Sequence, residues 1–149
     1  MWHRFLPSTI DNNYQGRRLG LWLLTFVLLV KVAQIVSVMV DGPGIVAEAD
    51  GIPLSTFSGV AAGTVVAAFV GMAISRLLIC VVCAIVLLRY RSAVTLTFAL
   101  LVLHDVAREA VLRPVRTATP IGLRVNIGLI ALTVAGVALS AVTRRKADT

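Results

Sequence analysis

The chain has 149 residues and a formal net charge of +7; 58% of its residues are hydrophobic and only 14% are charged. Its mean hydropathy is +0.94, whereas a soluble domain is only about 45–50% apolar. This composition excludes an ordinary soluble domain and predicts an all-α integral membrane protein, because helices satisfy their own backbone hydrogen bonds in lipid.

Four long apolar segments occupy most of the chain. A transmembrane helix needs about 20 mostly apolar residues, and the segments that qualify or nearly qualify are residues 19–40, 55–88, 93–113 and 121–143. We therefore predict a single transmembrane domain, residues 1–149, folded as a four-helix bundle. The second segment is too long for one upright crossing, so it must tilt, protrude outward or break, and Gly71 is the expected place if it breaks.

Turn residues separate these segments. The sequence DGPG at residues 41–44 stops the first helix, and Ser55 or Thr56 is expected to cap the second. Pro114 should end the third helix, and Pro120 should occupy the first position of the fourth.

The distribution of basic residues predicts the orientation in the membrane. The loop after the first span carries three acids and no Lys or Arg. Lys and Arg are enriched on the cytoplasmic side, so both termini are expected there (N-in, C-in). Only two basic residues, Arg113 and Arg116, lie on the expected outer side. Eight lie on the expected inner side: Arg4, Arg17, Arg18, Arg89, Arg91, Arg144, Arg145 and Lys146.

Four stretches carry a family resemblance. IDNNYQGRRLGLWLL, ADGIPLSTF, LLRYRSAV and RTATP resemble a family of small bacterial inner-membrane proteins with four predicted spans and no known activity. The resemblance implies a multi-pass protein of the bacterial inner (cytoplasmic) membrane, and it carries no functional residue to this chain.

Ionisable side chains within the apolar segments predict a polar, charged bundle interior. Lys31, Arg76 and His104 each lie about 18 Å from the expected cytoplasmic boundary at about 1.5 Å per residue, and Asp105 lies one residue further. Charges at this depth are costly and turn inward to pair, so we expect Asp105 to pair with Lys31, Arg76 or both. A second layer contains Arg108, Glu109, Arg124 and Asn126. In this layer we expect Glu109 to pair with Arg108 or Arg124.

This interior is open to more than one interpretation. A buried ion-pair network that fixes helix register is the structural one. A proton or ion path, or a pocket for an anionic group, is the functional one. Haem is disfavoured because His3, the other histidine, is too far away, so no cofactor and no metal is expected.

The sequence CVVC places Cys80 and Cys83 in the second segment. A Cys-x-x-Cys pair with a lowered pKa supports redox chemistry, and four spans suggest a comparison with quinone-linked disulfide-forming enzymes. The chain has no second cysteine pair, and the neighbouring side chains are apolar. We expect both thiols to be reduced, buried and dispensable.

Small residues recur every four positions along the second segment. Such a face permits close helix packing, either inside the bundle or against a partner protein or a second copy. The face consists of Gly59, Gly63, Ala67, Gly71 and Ser75, and a second small face on the last segment consists of Gly128, Ala131, Ala135 and Ala138.

The sequence contains no catalytic constellation and no phosphate-binding loop, and membrane topology accounts for its positive charge without nucleic acid. It predicts a non-enzymatic accessory, assembly or interaction subunit whose surroundings are the lipid bilayer. The alternatives are a small proton- or ion-coupled transporter or channel that uses Asp105 and Glu109, and a quinone- or thiol-linked redox protein.

Overall fold

The computed structural model describes residues 11–14, 16–115 and 120–142, and these residues form helices and turns without a β-strand. Four long helices dominate. They are α1 (Arg18–Val40), α2 (Gly59–Arg89), α3 (Val94–Leu112) and α4 (Ile121–Ala141). The predicted bounds lie within a few residues of these, because long apolar runs and the turn residues between them determine where helices begin and end.

Three of the helices, α1, α2 and α4, are long and apolar enough to cross a membrane. Several such helices are typical of a multi-pass membrane protein. Helix α3 has 19 residues and is less apolar, because His104, Asp105, Arg108 and Glu109 lie in its second half.

Helix α2 is continuous for 31 residues, so the predicted break at Gly71 is wrong. At about 1.5 Å per residue it is about 46 Å long, against about 30 Å for the hydrocarbon core of a bilayer. The predicted caps are also wrong: the Ser58 hydroxyl accepts a hydrogen bond from the Ala61 amide, whereas Ser55 and Thr56 lie in a preceding 3-10 turn. One glycine costs about 1 kcal/mol relative to alanine within a helix, which is too little to interrupt it.

The helices are arranged as an open bundle. Helix α1 packs along α2 and α4, and α4 packs along α3, whereas α2 and α3 make few contacts with each other. The main core includes Leu24, Ile35, Phe98 and Leu101. The order around the bundle is therefore α2, α1, α4, α3, with a seam between α2 and α3.

A glycine determines how closely α3 and α4 approach. A side-chain carbon at Gly136 would overlap the ring of Phe98, which is fully buried. Thr133, one turn away on α4, is also fully buried. Residues of the predicted small face, such as Gly128 and Ala131, are instead exposed.

The connection between α1 and α2 folds back onto the bundle. The Asp41 carboxylate accepts a hydrogen bond from the Gly44 amide, and a π-helical turn follows at Ile45–Ala49. Gly51 has a φ of +71°, a backbone conformation that favours glycine. The connection buries Val46 in a second apolar cluster with Phe69 and Leu112.

Before α1, Tyr14 packs against Gly20 near the end of α4, where a side-chain carbon at Gly20 would overlap the phenol oxygen. The hydroxyl is buried and has no hydrogen-bond partner among the described residues. Burial raises the pKa of Tyr14 to about 12.

Candidate functional site: a sealed polar centre beside an open groove

A buried ion pair joins α1 to α3. The Lys31 ammonium donates to both carboxylate oxygens of Asp105, at 2.7 and 2.8 Å, and both residues are more than nine-tenths buried. Lys31 is one of the two cations expected at this depth. A buried charge pair is tolerated only when its members satisfy each other closely, and this geometry meets that requirement.

His104 lies at the edge of this pair. Its Nδ1 is 3.2 Å from Oδ1 of Asp105, and its side chain is one-third exposed. The tautomer with a proton on Nδ1 donates to the carboxylate. His104 therefore connects the buried pair to the seam between α2 and α3.

A second set of contacts runs from the α1–α2 connection through α3 to α4 and α1. Arg108 donates to Asp50 at 2.9 Å and to Glu109 at 3.0 Å. Asn126 donates to Glu109 at 3.1 Å, and Gln34 donates to Asn126 at 3.3 Å. We call these five residues together with Lys31, His104 and Asp105 the polar centre.

Asp50 and Gln34 are the members of the polar centre that were not in the predicted set, and Asp50 is the charged one. It lies in a loop, yet it is 5% exposed and receives a guanidinium N–H. The one sequence signal was an acidic loop that follows an apolar helix, and this was used only to predict orientation. How far a loop folds back into a bundle does not follow from helical periodicity.

Two predicted members, Arg76 and Arg124, lie apart from the polar centre. Of the two predicted partners of Glu109, Arg108 contacts it and Arg124 is exposed. Arg124 lies two positions before Asn126, about 200° around α4, so both cannot face inward. Arg76 is half-buried on α2. It makes no hydrogen bond or ion pair within the part of the chain that the structure describes.

The space beside the buried pair is small. A cavity of about 10 Å³ lies next to Lys31, Arg76 and His104, about the smallest volume that holds one water molecule. The carboxylate of Asp105 is 6% exposed. The polar centre is therefore sealed in this conformation and has no room for a substrate.

The two cysteines lie in the core. Cys80 and Cys83 are 5% and 4% exposed and are free thiols, as expected for buried structural residues. Among the described residues, no group of His, Cys, Asp and Glu side chains could hold a metal ion.

The seam between α2 and α3 contains an open groove of about 600 Å³. Small residues of α2, including Gly71 and Ser75, form one wall, and Ala107 and Val111 lie on the other. Arg76, His104 and Arg108 supply its polar atoms. We call this feature the α2–α3 groove.

The small-residue face of α2 is not used by the described residues. Its members are exposed, and a side-chain carbon at Gly59, Gly63 or Gly71 would meet nothing within 4 Å. This face is therefore free for a neighbour outside the chain, and its Gly71–Ser75 end borders the α2–α3 groove.

No family model, curated protein or solved structure matches the chain at a significant level. What the site can do follows from its geometry alone. The polar centre can hold the helices in register. The α2–α3 groove is open and can bind a molecule from its surroundings.

Proposed function

We propose that the chain is a four-span protein of the bacterial inner membrane with both termini cytoplasmic, and that it acts as a non-enzymatic accessory, assembly or interaction subunit. The observation that carries this proposal is the contrast between a sealed polar centre and an uncovered α2–α3 groove. A protein whose buried acids are paired within the chain, and which has an open groove between two of its helices, is suited to binding a membrane partner.

The four-span arrangement is supported by the partners of α3. Asp105 is paired with Lys31, and Arg108 is paired with Asp50 and Glu109. Pairing lowers the cost of placing charges in hydrocarbon, which favours α3 as a span despite its lower hydropathy. Alternation of four spans then places both ends of the chain on one side.

Reporter fusions test this topology. A reporter active only in the periplasm should be inactive when fused after Thr149 and active when fused after Asp50. A reporter active only in the cytoplasm should give the opposite pattern. Periplasmic activity at Thr149 would refute both-ends-in, and periplasmic activity at both Thr149 and Asp50 would refute the four-span count as well.

Site-specific photo-cross-linking in native membranes tests the docking role. Photoreactive side chains at Ala68 and Met72, which line the α2–α3 groove, should give the same discrete protein adduct. Leu29 is 65% exposed on α1 and serves as the lipid-facing control, which should give none. Adducts no more abundant at the groove positions than at Leu29 would contradict a docking subunit.

A small proton- or ion-coupled transporter that uses Asp105 and Glu109 is the second candidate. One observation favours it: His104 both contacts Asp105 and lines the α2–α3 groove. Proton flux into vesicles that contain the purified protein, abolished by Asp105→Asn, would replace the docking proposal. Flux equal to that of protein-free vesicles would dismiss the transporter.

A further inference from the structure

The α2–α3 groove contains a cation that has no direct partner among the described residues. Arg76 and Arg108 both line it. The guanidinium of Arg108 is held by Asp50 and Glu109, but that of Arg76 makes no ion pair or hydrogen bond among the described residues. A cation at membrane depth attracts an anionic group, so the groove is complementary to a carboxylate or a phosphate.

The depth of Arg76 indicates which kind of anion fits. Arg76 lies about 20 Å from the Arg89 end of α2 and about 26 Å from the Gly59 end, at about 1.5 Å per residue. Arg76 therefore lies near the middle of α2, whereas lipid headgroups lie at the membrane surfaces. A carboxylate on a transmembrane helix is instead held at a fixed depth by its own backbone.

The shape of the groove also fits a helix. Ala68, Gly71 and Ser75 present little side-chain volume on the α2 wall. Small residues let two helix backbones approach closely, which gives both packing and short polar contacts in lipid. A side-chain carbon at Gly71 would meet nothing within 4 Å, so the chain itself leaves this approach open.

A second copy of the chain does not supply the missing anion. The acids on the four described helices are Asp105 and Glu109. Asp105 is paired with Lys31, and Glu109 accepts from Arg108 and Asn126. A symmetric pair of copies would also bring Arg76 toward its own equivalent. The partner is therefore a different protein.

Building on the docking role proposed above, we propose that the α2–α3 groove binds a transmembrane helix of another protein that carries an Asp or Glu at the level of Arg76. The partner carboxylate accepts hydrogen bonds from the Arg76 guanidinium. The partner backbone packs on Ala68, Gly71 and Ser75.

Two synthetic transmembrane helices test this recognition. Both consist of Leu and Ala with one Gly-x-x-x-Ala face; one carries Asp at its centre and its twin carries Asn. The protein is labelled at Ser55→Cys, with Cys80 and Cys83 changed to Ala. Association in phosphatidylcholine vesicles is measured by energy transfer. The Asp helix should bind about tenfold more tightly than its twin, as expected of one interhelical polar contact.

Three variants separate charge from shape. Arg76→Gln should remove the preference for Asp and leave binding of the Asn twin unchanged. Arg124→Gln removes an exposed cation on α4 and should keep the preference. Gly71→Leu should weaken both helices, since it fills the groove.

The outcomes distinguish the two proposals. Equal binding of the twins to the unmodified protein, or a preference for Asp that survives Arg76→Gln, would overturn carboxylate recognition but leave the docking role standing. Absence of binding by both helices would overturn the α2–α3 groove as a docking surface.

Discussion

Replacing Asp105 by Asn should destabilise the bundle more than replacing Glu109 by Gln. The change leaves the Lys31 ammonium, 8% exposed, without the carboxylate that holds it at 2.7 and 2.8 Å. Removing one partner of a buried pair costs about 3–5 kcal/mol, mostly because the other charge is stranded. We expect a loss of that size in the free energy of unfolding.

Glu109→Gln is the matched comparison. The Glu109 side chain is 16% exposed, against 7% for Asp105, and its partner Arg108 keeps Asp50 as a second acceptor. Gln also retains an oxygen that can accept from Asn126. The expected loss is about 1 kcal/mol, in the range of one ordinary hydrogen bond. Glu48→Gln, at an exposed acid, should be neutral.

The assay is reversible unfolding in mixed micelles with an increasing fraction of sodium dodecyl sulfate. The double variant Lys31→Met/Asp105→Leu removes both charges and keeps apolar volume, so it should recover most of the stability lost by Asp105→Asn. Two results would refute the stranded-charge reasoning. One is that Asp105→Asn lowers the free energy of unfolding no more than Glu109→Gln does. The other is that the double variant is as unstable as Asp105→Asn.

Three further predictions concern packing and titration. Gly136→Val should destabilise the bundle by about 1–3 kcal/mol through overlap with Phe98, whereas Gly128→Val, at an open position, should not; the same micelle assay checks both. Changing Cys80 and Cys83 to Ala should lower the free energy of unfolding by about 1 kcal/mol per site and leave the abundance of the protein in membranes nearly unchanged. A disulfide found by thiol titration would contradict their structural role. Burial raises the pKa of Tyr14 to about 12, so its contribution to stability is complete below pH 10 and is lost as the pH rises toward 12. The phenolate absorbance step that disappears in the Tyr14→Phe variant should lie near pH 12, and a difference between the two proteins near pH 10 would contradict the burial.

Helix placement and the central ion pair could be predicted from the sequence. Apolar runs bounded by turn residues placed α1 and α4 almost to the residue. Lys31 and Asp105 could be matched because two charges at equal depth in a bundle have few other partners. Arg124 could have been excluded as well, since its angular distance from Asn126 was available from the sequence.

The remaining features depend on tertiary structure. Asp50 reaches Arg108 because its loop folds back, and no pattern within the loop encodes that path. Gly136 and Gly128 look alike in the sequence, yet Phe98 lies against Gly136 alone. The small-residue face of α2 predicts close packing, but the sequence does not say whether the neighbour lies inside or outside the chain.

The pairing of Lys31 with Asp105 has a consequence for biogenesis. On the proposed four-span arrangement, α3 must enter the bilayer with Asp105, Arg108 and Glu109, and a charge at a helix centre costs about 2.5–3.5 kcal/mol on insertion scales. Lys31 and Asp50 precede α3 in the chain, so they leave the ribosome first and are present when α3 reaches the insertion machinery. The order of synthesis thus supplies the counter-charges before the least apolar helix needs them.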